Sequence, residues 1–325
     1  MRVFVTGAAS PLGRALVSAL VRRNNAVVGL VRRVAGVAQM RHLGAEPIVG
    51  DVRRPEHMVK ALAGCEMVFH LASFFDFWAK KPEDFDSVNV GGTKSLMAAA
   101  TAAKVRRVVH CGSAITIGAP NGQVGDEFTK HRGHTETEFE RSQLAGEKLA
   151  VRMSKHGVEV VIVNTGLIVA PADPGWTGRL IAQCVQGKSS ISSHALLSWV
   201  WVEDAVEGLM RAAIQGHNGD RFILSGDVMS SHDFLSKVAA RARKKSPRAL
   251  PKQLAMSEAA LATALAAPFG QRPRLAMDEA RFLTSGFRVD GTHASSELGL
   301  DYTPAARYIN AVVGTYQSAL NRFTK

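Results

Sequence analysis

Apolar positions set the rhythm of the chain from its first residues. A β-branched apolar run, Arg2-Val-Phe-Val-Thr6, is followed by Gly7-Ala-Ala-Ser-Pro-Leu-Gly13 and then by Arg14-Ala-Leu-Val-Ser-Ala-Leu-Val21. The first run suits a strand buried on both faces, and the last repeats its apolar positions at helical spacing. Ser10 is placed to cap that helix, and Pro11 falls at its first position, where a missing N–H costs nothing.

The same alternation continues. Strands are predicted at Ala26–Val31, Glu46–Gly50, Glu66–Ala72, Arg106–Ser113 and Val158–Val163, with helical patterns over Asp84–Ala103 and Glu136–His156. Strands alternating with helices imply right-handed crossovers and a doubly wound parallel sheet, an α/β fold of the Rossmann type. The segments expected to form the dinucleotide-binding part are 1–166 and a strand–helix unit at 198–226. Segments 167–197 and 227–325 are expected to make a small C-terminal substrate domain. The longest apolar stretch, Leu254–Phe269, holds Glu258 and Pro268, is too short to span a bilayer, and reads as a buried helix.

Composition narrows the class. The 325 residues are 46% hydrophobic and 21% charged, as in ordinary soluble globular chains. Three widely spaced cysteines, Cys65, Cys111 and Cys184, point to a reducing compartment, hence the cytoplasm, and give neither a disulfide framework nor a metal site. The net charge of +12 is densest at Arg241, Arg243, Lys244, Lys245, Arg248 and Lys252, with no acid among them. A solvated helix end accounts for that run. No zinc-finger spacing or RNA-binding aromatic motif speaks for nucleic acid, and a membrane-surface role ranks low.

The chemistry begins at the glycine turn. Backbone N–H groups at a helix N-terminus, beside the positive end of its dipole, form a pyrophosphate site, so Gly7, Ser10, Leu12 and Gly13 are candidate cofactor contacts. A full dinucleotide fingerprint has three glycines; here the middle one is replaced by Ser10 or Pro11. The second strand ends in Arg32-Arg33, where an NAD-selective site carries an acid for the adenine ribose. Arginines there suit a 2′-phosphate, so the cofactor expected is NADP(H).

With these words in order, the chain resembles the extended short-chain dehydrogenase/reductases, near the dihydroflavonol-reductase-like and sugar-epimerase-like branch. The likeness rests on Val5-Thr-Gly7, Gly50-Asp-Val52, Val68-Phe-His-Leu-Ala72, Val88-Asn-Val-Gly-Gly-Thr93, Ser113-Ala-Ile-Thr-Ile-Gly118, Val202-Glu-Asp-Ala205 and Ser296-Glu-Leu-Gly-Leu300. It implies that Asp51 and Val52 contact adenine, that the strand end Leu71-Ala72-Ser73 lies along the cofactor, and that Ser113 is the catalytic serine. It also implies a homodimer packed through the two long helices.

The resemblance further implies a catalytic tyrosine followed four residues later by a lysine. At the matching positions stand Phe139 and Gln143. Phenylalanine has no proton to transfer, and glutamine, which can still hydrogen-bond a ribose hydroxyl, carries no charge to tune an acid. Tyr302, Tyr308 and Tyr316 all lie near the C-terminus. His131, His134, Glu136, Glu138 and Glu140 crowd the segment before the helix, and of these His134 is the candidate substitute acid, with bound water as the other source. His70 and His110 are expected to be strand residues with locally satisfied rings. Two readings stay open: an NADP(H)-dependent oxidoreductase or epimerase-like enzyme acting on a small carbonyl or alcohol compound by non-standard proton transfer, and a non-catalytic nucleotide-binding sensor or partner-binding protein of the same fold. The small domain, with Trp176, Trp199 and Trp201 and several basic residues, leaves the substrate open among aromatic, phosphorylated and nucleotide-sugar compounds.

Overall fold

The computed structural model describes residues 1–120, 122–188 and 191–323. Its strands are β1 (Arg2–Thr6), β2 (Ala26–Val31), β3 (Glu46–Val49), β4 (Met67–His70), β5 (Arg107–Ser113), β6 (Glu159–Thr165), β7 (Leu167–Val169), β8 (Leu196–Trp201), β9 (Arg221–Leu224) and β10 (Asp227–Ser230). Seven of them form one sheet in the order β3-β2-β1-β4-β5-β6-β9, with every pairing parallel. The strand order reverses between β1 and β4, which opens a crevice at their C-terminal ends.

Burial explains why the apolar runs became central strands. Val3, Phe4 and Val5 of β1 are fully buried. Val3 and Val5 face a core shared with Leu16 and Val17 of the helix Pro11–Arg22, whereas Phe4 faces Leu96 and Met97 of the helix Thr93–Ala102. Helices therefore cover both faces, as a parallel sheet requires.

A smaller sheet, β10-β8-β7, lies beside the first. β8 was expected to join the dinucleotide-binding part as the start of the unit at 198–226, but it pairs with β7 and β10. The rest of that unit does meet the large sheet, since β9 pairs with β6. Trp199 stacks on Phe234 at 4.2 Å and Trp201 on Tyr308 at 5.9 Å, so these two tryptophans are core.

The helix Lys252–Ala266 corrects a second expectation. Only Ala255 and Ala259 are buried, against Leu275 and Ala280, while Leu254, Leu261, Leu265 and the following Phe269 are exposed. The helix is apolar nearly all round, but a neighbour covers only its alanine face.

Candidate functional site

The turn between β1 and the first helix is built around two glycines that tolerate no side chain. Gly7 has φ +65°, and a Cβ there would lie 2.9 Å from the backbone of Leu71 and Ala72. A Cβ on Gly13 would lie 2.2 Å from the Gly7 carbonyl oxygen. The turn is thus pressed against the end of β4 on one side and its own helix on the other. Ser10 caps that helix: its Oγ accepts from the Gly13 N–H at 3.0 Å, and its carbonyl accepts from Arg14. Among the described residues the Leu12 N–H has no partner, so it is available to an anion at the positive end of the helix. The loop fits a pyrophosphate although its middle residue is not glycine.

The adenine end is less enclosed. Arg32 and Arg33 are exposed just past β2. Asp51 is clasped by Arg53, whose Nε donates at 2.9 Å to one carboxylate oxygen and whose Nη2 donates at 2.5 Å to the other. That hydrogen-bonded ion pair, with a smaller contribution from Arg32, holds the Asp51 carboxyl down at about 2. Val52 is buried under Gly92, where a Cβ would come within 2.8 Å of its Cγ1. Sequence reasoning passed over Arg53, a short-range partner of an expected adenine contact.

A chain of hydrogen bonds sets the end of β4. The Ala72 N–H donates to Thr6 Oγ1 at 3.1 Å, Thr6 donates to His70 Nδ1 at 2.8 Å, His70 Nε2–H donates to Thr93 Oγ1 at 3.0 Å, and Thr93 donates to the Asn89 carbonyl at 2.7 Å. The sequence of donors assigns His70 as the neutral Nε2–H tautomer. Burial, reinforced by the neighbouring His110, holds its imidazole well below the usual range. His110 differs from expectation: its Nδ1 is buried with no hydrogen-bond partner among the described residues.

Ser10, Leu12, Leu71, Ser73, Ser113, Phe139 and Gln143 come together in one cleft of about 830 Å³, counted to its open mouth. Ser113 ends β5. Gln143 projects from the helix Glu138–Met153 and donates to Ser73 Oγ at 2.7 Å. Phe139 is buried one turn earlier on that helix, 4.8 Å from the ring of Phe75. Beyond them Phe77, Trp176 and Phe282 interlock, with Phe77 stacked on Phe282 at 4.4 Å and Trp176 Nε1 donating to Glu279 at 2.7 Å. Together the rings make an aromatic wall whose cleft-lining members are Phe75 and Phe139, with Phe77, Trp176 and Phe282 buried behind them. Of its residues the sequence reading singled out only Phe139 and Trp176, because the others become neighbours only through the fold.

The remaining candidates stand apart. His134 is exposed on its loop and is not among the residues lining the cleft. Glu140 is fully buried, pairs with Arg132, accepts from the Glu136 N–H at 2.9 Å, and helps fix the helix start that Thr137 caps. Burial raises its carboxyl despite Arg132. The hydroxyls of Tyr302, Tyr308 and Tyr316 donate to Gly291, Asp227 and Asp173 respectively, and none of the three rings lines the cleft. Within the cleft, Cys111 has its thiol pushed up to about 12 by burial, and the Asp173 carboxylate is spent on the Gly175 and Gly178 N–H groups. Among the described residues no group of His, Cys, Asp and Glu side chains is arranged to hold a metal ion.

Comparison with known proteins places this geometry. The model of the NAD dependent epimerase/dehydratase family matches residues 3–224. A protein named sterol demethylase protein B from Methylococcus capsulatus is 32% identical over 306 residues, which cover 92% of this chain and 93% of that one. A putative dihydroflavonol 4-reductase from a Synechocystis species is 26% identical over 326 residues, covering 97% and 94%. Among solved structures, that of gox2253 superimposes with a TM-score of 0.83 at 28% identity and covers 98% of both chains.

Proposed function

The chain belongs to the NAD-dependent epimerase/dehydratase family, and from that footing we propose an oxidoreductase that uses NADP(H) on the carbonyl or alcohol group of an apolar, ring-containing compound. One observation carries the reading: a single cleft is lined by Ser10 and Leu12 of the phosphate-binding turn, by Ser113 and by the aromatic rings of Phe75 and Phe139. Gly7, Gly13 and the Leu12 N–H are suited to the pyrophosphate, Arg32 and Arg33 to a 2′-phosphate, and Gln143 to the nicotinamide-side ribose. When bound, the dinucleotide supplies or accepts the hydride.

The chain's own residues do the rest. Ser113 donates a hydrogen bond to the substrate oxygen. Ser113 and Ser73 both line the cleft, and water beside them would give the substrate oxygen its proton on reduction, leaving hydroxide, and would take that proton back on oxidation. Phe139 keeps the substrate ring in place but contributes no proton, so proton transfer relies on water and positioning. His134 is left out because its loop does not reach the cleft. The names of relatives agree with an apolar substrate: besides the two above, a 3-beta-hydroxysteroid dehydrogenase from Mycolicibacterium neoaurum matches over 263 residues at 24% identity.

Isothermal titration with NADPH, NADP⁺, NADH and NAD⁺ tests the first half. The expected result is preference for the phosphorylated pair, lost by about tenfold or more in an Arg32→Ala, Arg33→Ala variant whose NADH affinity is unchanged. Absence of binding to all four would overturn the reading. Turnover of ring ketones with NADPH tests the second half, and Phe139→Tyr with Gln143→Lys should raise kcat by about 10²- to 10⁴-fold. Binding without turnover, in both the natural chain and that variant, would favour the other reading, a nucleotide-binding protein without catalysis, for which Phe139 and Gln143 are the supporting residues.

A further inference from the structure

The helix Lys252–Ala266 presents an apolar stripe to solvent that nothing among the described residues covers. Leu254, Leu261 and Leu265, at positions i, i+7 and i+11, share one face within a fraction of a turn, and are 59%, 63% and 66% exposed. Phe269, just past the helix end, is 74% exposed. These four are among the most exposed large apolar side chains of the molecule. Glu258, the one acid on this face, is half-buried and lies 4.0 Å from Arg274.

Charge indicates what the stripe meets. The chain reaches this helix through Arg241, Arg243, Lys244, Lys245, Arg248 and Lys252, all exposed, and among the described residues none of the six forms an ion pair. Among the described residues, of the six only Arg241 has a side-chain hydrogen bond, to Asn310. An unneutralised basic run leading into an apolar helix face is the pairing that binds an anionic bilayer: the cations meet headgroups and the leucines enter the acyl boundary. A nucleic acid would use the charges but leave the leucines in water, and an acidic protein surface would do the same.

We infer that this helix and the basic run before it form a docking surface for anionic lipid membranes. No helix of the described residues is long and apolar enough to cross a membrane, so the attachment is peripheral. The helix packs on Met277–Ser285, which carries Glu279 and Phe282 of the aromatic cluster behind the cleft. The docking itself does not depend on the proposed reaction.

Flotation of the full chain with vesicles of phosphatidylcholine alone, or of equal parts phosphatidylcholine and phosphatidylglycerol, tests the inference. Binding is expected to the anionic vesicles only, weakened by high salt. It should fall by about tenfold or more in Leu261→Glu with Leu265→Glu, and again in Lys244→Glu with Lys245→Glu. Circular dichroism and thermal melting of these surface variants should match the parent, which separates lost docking from lost folding. Three results would overturn the inference: no binding to anionic vesicles at low salt, binding that survives the leucine variant and so reflects charge alone, or a parent dimer that the leucine variant dissociates, which would make the stripe a contact between two copies. Failure of dinucleotide binding, by contrast, would leave this result untouched.

Discussion

His70 and His110 occupy paired positions on β4 and β5, their rings 5.2 Å apart, inside a core that excludes water. Burial holds the His110 imidazole at about 4, with Glu147 and Arg221 exerting smaller and opposite effects. The unfolded chain titrates near 6.5, so between about 6.5 and about 4 it takes up protons that the folded protein refuses. Stability is therefore greatest above about 6.5 and falls as pH drops through that window, by at most about 1 kcal/mol per pH unit for His110, and the buried His70 acts in the same direction. Denaturation midpoints measured from pH 7.5 down to 4.5 should show this fall. A His110→Leu variant should show a shallower one, since it removes both the titrating ring and the unpartnered Nδ1. An unchanged slope in that variant would mean that His110 takes up its proton in the folded state.

At the scale of elements, the helix Glu138–Met153 is placed by contacts from a helical turn with widened π geometry at Ser87–Gly92. Asn89 in that turn accepts from the Phe74 N–H at 2.7 Å and donates to Ser142 Oγ at 2.9 Å, and Ser142 donates to the Phe139 carbonyl at 3.0 Å. Gly146 allows the approach, since a Cβ there would lie 2.4 Å from the Asn89 carbonyl oxygen. Asn89→Leu should cost about 1–3 kcal/mol by leaving these groups unpaired, read as a lowered urea midpoint, whereas Ser154→Ala, just past the end of the same helix and losing only a bond to the Val151 carbonyl, should stay within about 1 kcal/mol. The π turn shows where pattern reading stops. Apolar spacing predicted one continuous helix over Asp84–Ala103, and the chain is helical there, but a local change of pitch leaves little trace in periodicity. Six of the seven strands of the large sheet were legible, most of them because β-branched runs buried on both faces carry their own signal, whereas the short edge strand β9 (Arg221–Leu224) was not singled out. The Lys252–Ala266 helix was misread because apolar content reports what a helix could bury and not whether a neighbour is there to cover it. Ser73, Ser113, Phe139 and Gln143 were found through words in a fixed order, while Phe75, Phe77 and Phe282 depend on contacts between distant segments.

At the scale of the whole molecule, the loop after β4 reaches across the cleft and is held from the far side. Asp76 accepts from Arg272 at 2.7 Å and from Arg179 at 3.2 Å, and one of its carboxylate oxygens also accepts from the Phe77 N–H at 2.7 Å. Burial alone would raise this carboxyl, but the Arg272 hydrogen bond and charge outweigh it and hold the group below its usual value. The clamp's contribution is present above the ordinary carboxylate pKa near 3.8 and is lost only as pH falls through the lower folded value, so it is intact at neutral pH. It fixes Phe77 within the aromatic wall while touching none of the glycine turn, and that separation predicts a split effect. Asp76→Asn should keep dinucleotide affinity within about twofold, because the Gly7–Gly13 turn and Arg32-Arg33 are untouched. The same change should raise KM for an apolar ring substrate by about tenfold, because the wall loses its anchor and two arginines lose a buried partner. Titration with the dinucleotide and steady-state kinetics on one variant measure the two numbers together. An equal loss in both would mean that the clamp holds the nucleotide end of the cleft as much as the substrate end, and the division of labour between glycine turn and aromatic wall would fail with it.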